Sequence, residues 1–249
     1  MQTTITEIAP DWFRLSTFSP AGIQFNEFLL RDTQPFLMHT GLRKMFPATL
    51  EAVASLIDPK DLRWIGFSHF EPDECGALNQ WLQVAPRAQA VCSTIGARML
   101  GDFADRPARA LNDDEVLNTG THRMRFLSTP YVPHCWDAGL FFDATQQTLM
   151  CSDLFFHPGN PQPVTEGDVV APAKAALLAS IASPTGSGMP YTPQTDGTLR
   201  RLAALKPHTL AIMHGSSFRG DGARAILDLA RVAGEALGAG RTGATPAPH

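Results

Sequence analysis

The stretch His69-Phe70-Glu71-Pro72-Asp73-Glu74 constrains this chain more than any other. It sets four potential metal ligands, His69, Glu71, Asp73 and Glu74, within six residues, directly after the mainly apolar run Leu62 to Phe67, which reads as a buried strand. A loop leaving a strand end can turn several side chains toward one point. A cation needs this, because it must exchange several waters for protein donors. The competing explanation is a solvated acidic turn at a helix start, with Asp73 or Glu74 in the first turn of a segment running on through Ala77-Leu78 to Trp81-Leu82.

Three later positions favour the metal explanation. His134 stands in Val132-Pro133-His134-Cys135-Trp136-Asp137, Asp153 follows Thr148 to Ser152, and His214 follows Thr209 to Met213 and precedes Gly215. Asp153 and His214 end short apolar runs, and strand ends are where α/β folds collect functional groups. A single histidine is more often a hydrogen-bonded core or surface residue than a ligand. The signal here lies in the order and context of the set.

Taken together, these residues resemble the metallo-β-lactamase superfamily, and within it the di-iron branch of flavodiiron proteins and oxygen-binding di-iron proteins. That branch carries H-x-E-x-D-H, then a lone His, a bridging Asp and a final His. The pattern falls on His69, Glu71 and Asp73, then His134, Asp153 and His214, in the same order over most of the chain. Glu74 is the departure, standing where the branch usually has His. Hydrolytic members show H-x-H-x-D-H, so Glu71 points away from a three-histidine zinc site.

The resemblance implies that His69, Glu71 and His134 hold one metal, Asp73 and His214 the second, with Asp153 bridging. Glu74 is then the remaining ligand of the second metal or a displaced carboxylate. Four carboxylates, Glu71, Asp73, Glu74 and Asp153, offset the formal charge of two divalent cations. An added anionic oxygen donor favours harder metals and the higher oxidation state, so the expected cofactors are two iron ions, with manganese or zinc as alternatives.

Composition agrees with this assignment. The chain has 249 residues, 44% of them hydrophobic and 18% charged, enough to bury a large core. A formal net charge of −4 argues against a general nucleic-acid binder. No leader is visible at Met1-Gln2-Thr3-Thr4 and no run approaches membrane-spanning length, so a cytoplasmic location away from membranes is expected. Cys75, Cys92, Cys135 and Cys151 show no Cys-x-x-Cys spacing and read as small buried apolar residues. Cys75 and Cys135 also adjoin proposed ligands, where a thiol beside a redox metal is open to oxidation.

The resemblance implies an α/β fold, an αββα sandwich of two mixed sheets flanked by helices. Alternation and turn residues predict strands over Thr4 to Ile8, Phe13 to Ser16, Gln24 to Arg31, Gln34 to His39, Arg63 to Phe67, Ala88 to Cys92, Arg123 to Ser128, Ala138 to Asp143, Thr148 to Ser152 and Thr209 to Met213. Hairpins are expected at Asp32-Thr33 and at Ala144-Thr145-Gln146. Three- and four-residue apolar spacing predicts helices over Ala48 to Leu56, Glu74 to Leu82, Ile95 to Asp102, Ala171 to Ser180, Thr198 to Leu205 and Gly222 to Leu237. Pro158 to Pro163 and Ser183 to Pro193 read as loops able to cover the site. Residues 1–237 are expected to form one metal-binding domain, and the Gly/Ala/Pro-rich stretch 238–249 a frayed tail. The residues after His214 leave no room for the flavodoxin-like domain of flavodiiron proteins, so no FMN is expected in this chain.

Two readings follow within the branch: a protein that binds or senses dioxygen or a related diatomic gas, or an oxygen or nitric oxide reductase fed by a separate redox partner. The chain is compatible with a homo-oligomer. Phe70, Trp136, Phe155 and Phe156 suit either an apolar gas pocket or ordinary core. A metal-dependent hydrolase of esters, lactones or phosphodiesters is the alternative from another class, and a degenerate site is a third. His39 reads as a group behind the ligands or as a turn histidine. His122, His157 and His208 carry no motif context.

Overall fold

The strands explain themselves by their neighbours on both faces. In a computed structural model, which describes residues 2–184 and 186–238, the first sheet starts as a meander of β1 (Thr3–Ala9), β2 (Trp12–Phe18), β3 (Gln24–Leu30) and β4 (Phe36–Met38). It continues with β5 (Trp64–Gly66), β6 (Gln89–Ser93) and β7 (Arg109–Leu111), each parallel to the strand before it. The second sheet contains β8 (Val116–Asn118), β9 (Arg123–Ser128), β10 (Gly139–Asp143), β11 (Thr148–Ser152), β12 (Val164–Thr165), β13 (Thr209–Ile212) and β14 (Ser217–Arg219), in the order β12-β14-β13-β11-β10-β9-β8. Both sheets are mixed, since β11 and β13 run parallel among otherwise mostly antiparallel pairs.

Between the sheets lie Trp12, Phe28, Phe36, Phe126, Phe141 and Met150. On the outer face of the first sheet, Leu15, Leu29, Leu37 and Ile65 pack against α1 (Phe46–Ala54) and α3 (Leu78–Val84), with Phe46 and Trp81 edge to face at 5.2 Å. On the outer face of the second, Leu140, Leu149 and Leu210 meet α6 (Thr195–Ala204) and α7 (Gly222–Leu237). Covering both faces of each sheet is why β10 and β11 read as continuous buried runs instead of alternating ones. The α7 helix shows the matching logic. Asp221 caps it by accepting from Arg224 N at 2.9 Å, and Ile226, Leu229, Ala230 and Ala233 recur at three- and four-residue spacing on its buried face. The expected αββα sandwich is the observed one.

Both expected hairpins form, β3 to β4 and β10 to β11. The helix expected over Glu74 to Leu82 is two pieces, α2 (Pro72–Cys75) and α3. Gly76 and Ala77 divide them, and a side chain at Gly76 would collide with Pro72 O, so this backbone turns where a continuous helix would run on. Helix starts were displaced too: α1 begins at Phe46, with Pro47 in its first turn, and α6 begins at Thr195. The remaining helices, α4 (Thr94–Met99) and α5 (Val170–Ile181), lie close to expectation. β7, β8, β12 and β14 were not expected; each has two or three residues, too few for alternation to register. The tail expected over 238–249 lies, from residue 239 on, outside the described residues. Among the described residues no helix is long and apolar enough to cross a membrane.

Candidate metal centre

Four loops at strand ends bring the predicted residues together. His69, Glu71, Asp73 and Glu74 follow β5 and enter α2, His134 lies between β9 and β10, Asp153 follows β11, and His214 follows β13. The imidazole Nε2 atoms of His69 and His134 lie 2.8 Å apart, with His69 3.8 Å from Glu71 Oε2, 3.5 Å from Glu74 Oε1 and 3.6 Å from Asp153 Oδ2. His214 Nε2 lies 3.3 Å from Asp73 Oδ2. Asp153 stands between the two halves: Oδ2 is 3.1 Å from His134 and Oδ1 is 3.1 Å from His214.

Local backbone is bent to achieve this. Ser152 (φ +50°) and Phe155 (φ +66°) take left-handed conformations on either side of Asp153, which ends the strand and turns the carboxylate inward. Gly215, at φ +134°, must lack a side chain because a Cβ there would strike the His157 ring. His157 is thus a packing residue: its Nδ1 faces Phe155 O at 3.1 Å.

Groups outside the cluster orient the imidazoles. His214 Nδ1 donates to Gln24 O at 2.7 Å, leaving Nε2 to face the carboxylates. Ser68 Oγ is a hub, 3.0 Å from His69 Nδ1, 3.1 Å from His39 Nε2 and 2.7 Å from Ser152 Oγ. His39 therefore sits behind the cluster, and burial lowers its pKa to about 3, which favours the neutral imidazole. Neither Ser68 nor the Gln24 carbonyl carries a motif; Ser68 could have been suggested by its place between a strand end and His69, while nothing in the sequence marks Gln24.

The clustered charges shift one another. Burial pushes Asp153 up, but the hydrogen bonds of His134 and His214 and the charges of His214 and His69 outweigh it and hold it well below the ordinary carboxylate range. Burial pulls His214 down, yet Asp153 and Asp73 raise it to about 10. Glu74 goes the other way: burial, then the charges of Asp153 and Asp73, push it well above the usual range. It is fully buried against Asp73, carboxyl to carboxyl, a contact that needs a proton or a cation, and no N–H group donates to either oxygen. A buried orphaned carboxylate costs several kcal/mol in roughly the range of an unpaired buried charge unless it is protonated or bound to a cation. The donor set, three imidazoles and four carboxylates with one of them unsatisfied, fits a pair of divalent cations.

Cys75, Cys92 and Cys151 are buried as expected. Cys135 differs: it is half-buried and its thiol donates to Glu71 Oε1 at 3.4 Å. Of the aromatic residues expected to line a gas pocket, Phe155 and Phe156 do so. They bound a cavity of about 300 Å³ that opens onto His134, Asp153 and His214, with Leu154, Leu177 and Met189 completing an apolar wall. Phe70 instead packs on Phe103 at 5.4 Å, and Trp136 is 54% exposed. Ser187, Gly188 and Met189, from the expected loop, reach the cavity. His122 is structural, its Nδ1 2.7 Å from Asp143 Oδ2, and His208 is exposed.

A family profile described as ODP family beta lactamase matches residues 23–215. Rubredoxin-oxygen oxidoreductase of Megalodesulfovibrio gigas is 26% identical over 222 residues, covering 85% of this chain and 54% of that protein. Diflavin flavoprotein A 1 of Synechocystis is 27% identical over 137 residues, 54% of this chain and 24% of that protein. The chain thus spans about a quarter to a half of the length of these relatives. Among solved structures, rubredoxin oxygen:oxidoreductase from Desulfovibrio gigas superposes with a TM-score of 0.80 at 23% identity, over 92% of this chain and 61% of that one. The Flv1 flavodiiron core from Synechocystis gives 0.75 at 20% identity, over 92% and 60%.

Proposed function

The chain belongs to the ODP family beta lactamases, and from that membership we propose that it is a di-iron protein that binds dioxygen or a related diatomic gas and reduces it when a separate carrier delivers electrons. His69, Glu71 and His134 would hold one iron, Asp73, Glu74 and His214 the other, and Asp153 would bridge them. The observation that carries this reading is the division of the Asp153 carboxylate, one oxygen toward His134 and the other toward His214 at 3.1 Å each. The flavodiiron relatives support iron, and the name of the Megalodesulfovibrio relative supports a rubredoxin-like electron donor.

Iron held by these residues would supply the redox chemistry, with the electrons coming from the separate carrier. The protein residues do the rest. Ser68 and the Gln24 carbonyl hold His69 and His214 with Nε2 facing inward. Leu154, Phe155 and Phe156 keep the approach apolar, which admits a small uncharged gas and disfavours water and ionic substrates.

Metal analysis with anaerobic and aerobic absorption spectra tests the proposal. About two irons per chain and an oxygen-dependent charge-transfer band are expected, with sustained oxygen consumption only when a flavoprotein or rubredoxin system is added. A colourless zinc protein that hydrolyses lactones or phosphodiesters, and loses this on His69→Ala, would overturn it in favour of a hydrolase.

A further inference from the structure

One donor in the cluster lies outside the sequence motif. Cys135 Sγ, a ring nitrogen from each of His69 and His134, and a Glu71 carboxylate oxygen all lie within 4.8 Å of one another. Ligands at about 2.1 Å (nitrogen, oxygen) and 2.3 Å (sulfur) from one cation stand roughly 3 to 4 Å apart, so side-chain shifts of about 1 Å would close the four onto a single ion. Cys135 sits at φ +59°, in the left-handed region, and Tyr131 N and Ala138 N donate to its carbonyl at 2.8 and 3.4 Å. Beside the four, the buried Glu74 carboxylate, assigned above to the second position, lies 3.5 Å from His69 with no N–H group donating to either oxygen, which supports cation binding at the cluster as a whole.

We propose that Cys135 is a thiolate ligand of the metal position formed by His69, Glu71 and His134. The inference rests on the dinuclear-metal reading above and deepens it. On loading, the S–H bond breaks, its proton leaves to solvent, and the sulfur electron pair forms the metal–sulfur bond, with no change of oxidation state. The two positions then differ in kind. One has two imidazoles, a carboxylate and a thiolate, and is the softer; the other, with Asp73, Glu74 and His214, is rich in oxygen and harder. Zinc and cobalt should favour the first position, and manganese the second.

The test is an anaerobic titration of the chelator-stripped full chain with Co²⁺. A near-ultraviolet thiolate-to-cobalt charge-transfer band is expected in the parent and in Cys75→Ser, and no band in Cys135→Ser or Cys135→Ala. Zinc affinity should fall at least about tenfold in both Cys135 variants, with manganese affinity unchanged. The parent alone gives a second measurement: cobalt should protect Cys135 from iodoacetamide, read by peptide mass mapping. Cobalt bound without the band, a band that survives Cys135→Ser, or alkylation unaffected by cobalt overturns thiolate ligation and leaves the dinuclear reading standing. A chain that takes up no cobalt overturns both.

Discussion

Replacing Glu27 with glutamine should stabilise the metal-free protein at neutral pH, although Glu27 is a fully buried residue in the centre of β3. Neither of its carboxylate oxygens receives a hydrogen bond from another residue, and one packs so closely on Gly41 that a Cβ there would collide with it. Burial pushes its pKa from 4.5 to about 8; the charges of His214 and Arg14 pull the other way and that of Asp73 adds to the rise. The folded chain therefore holds a proton that the unfolded chain releases above pH 4.5. A raised carboxyl costs no stability below its unfolded pKa. The cost accumulates as pH rises toward the folded pKa and then levels off. At about 1.4 kcal/mol per pH unit, the penalty relative to an uncharged isostere reaches about 3 kcal/mol at pH 7 and about 5 kcal/mol above pH 8. Urea denaturation of chelator-stripped parent and Glu27→Gln at pH 5, 7 and 9 reads this directly as a difference in midpoint. The two should nearly coincide at pH 5 and diverge upward, and loading the metals should narrow the gap, because nearby cations favour the carboxylate. Parallel pH profiles, or a variant less stable than the parent at pH 9, would refute the reasoning.

Three further outcomes are expected. Asp153→Ala should reduce metal content from about two per chain to at most one, since among the described residues no other carboxylate faces both His134 and His214 and two unbridged cations repel; two metals retained on elemental analysis would mean that Asp153 is not the bridge. Glu74→His exchanges an anionic donor for a neutral one, so a reductive titration should give a higher midpoint potential than the parent, and an unchanged or lower value would show that Glu74 does not coordinate. Asp143→Ala should cost about 2–5 kcal/mol in urea denaturation, because it strands Trp12 Nε1, His122 Nδ1 and Thr145 N, now 2.9, 2.7 and 2.9 Å from the carboxylate; a loss below about 1 kcal/mol would mean that these donors find other partners.

The sequence by itself determined the strand-and-loop frame of the centre. Strand ends are where side chains from distant segments converge, and the candidate residues His69, Glu71, Asp73, Glu74, His134, Asp153 and His214 each stand close behind an apolar run or within a turn, so the members of the cluster could be read without coordinates. The apolar runs also marked most long strands, because both faces of each sheet are covered. What remained hidden depends on contacts between segments far apart in the chain. The short strands β12 and β14 exist because they pair with each other and with β13, and local pattern is silent on pairing. Ser68 matters because β4, β5 and β11 bring His39, His69 and Ser152 to one hydroxyl. In the sequence Cys135 is marked only by adjoining His134, and Glu27 by nothing beyond its place in a strand. Tertiary packing decided otherwise, setting one beside Glu71 and sealing the other under Gly41, because burial and proximity, which control charge and coordination, are properties of the folded chain.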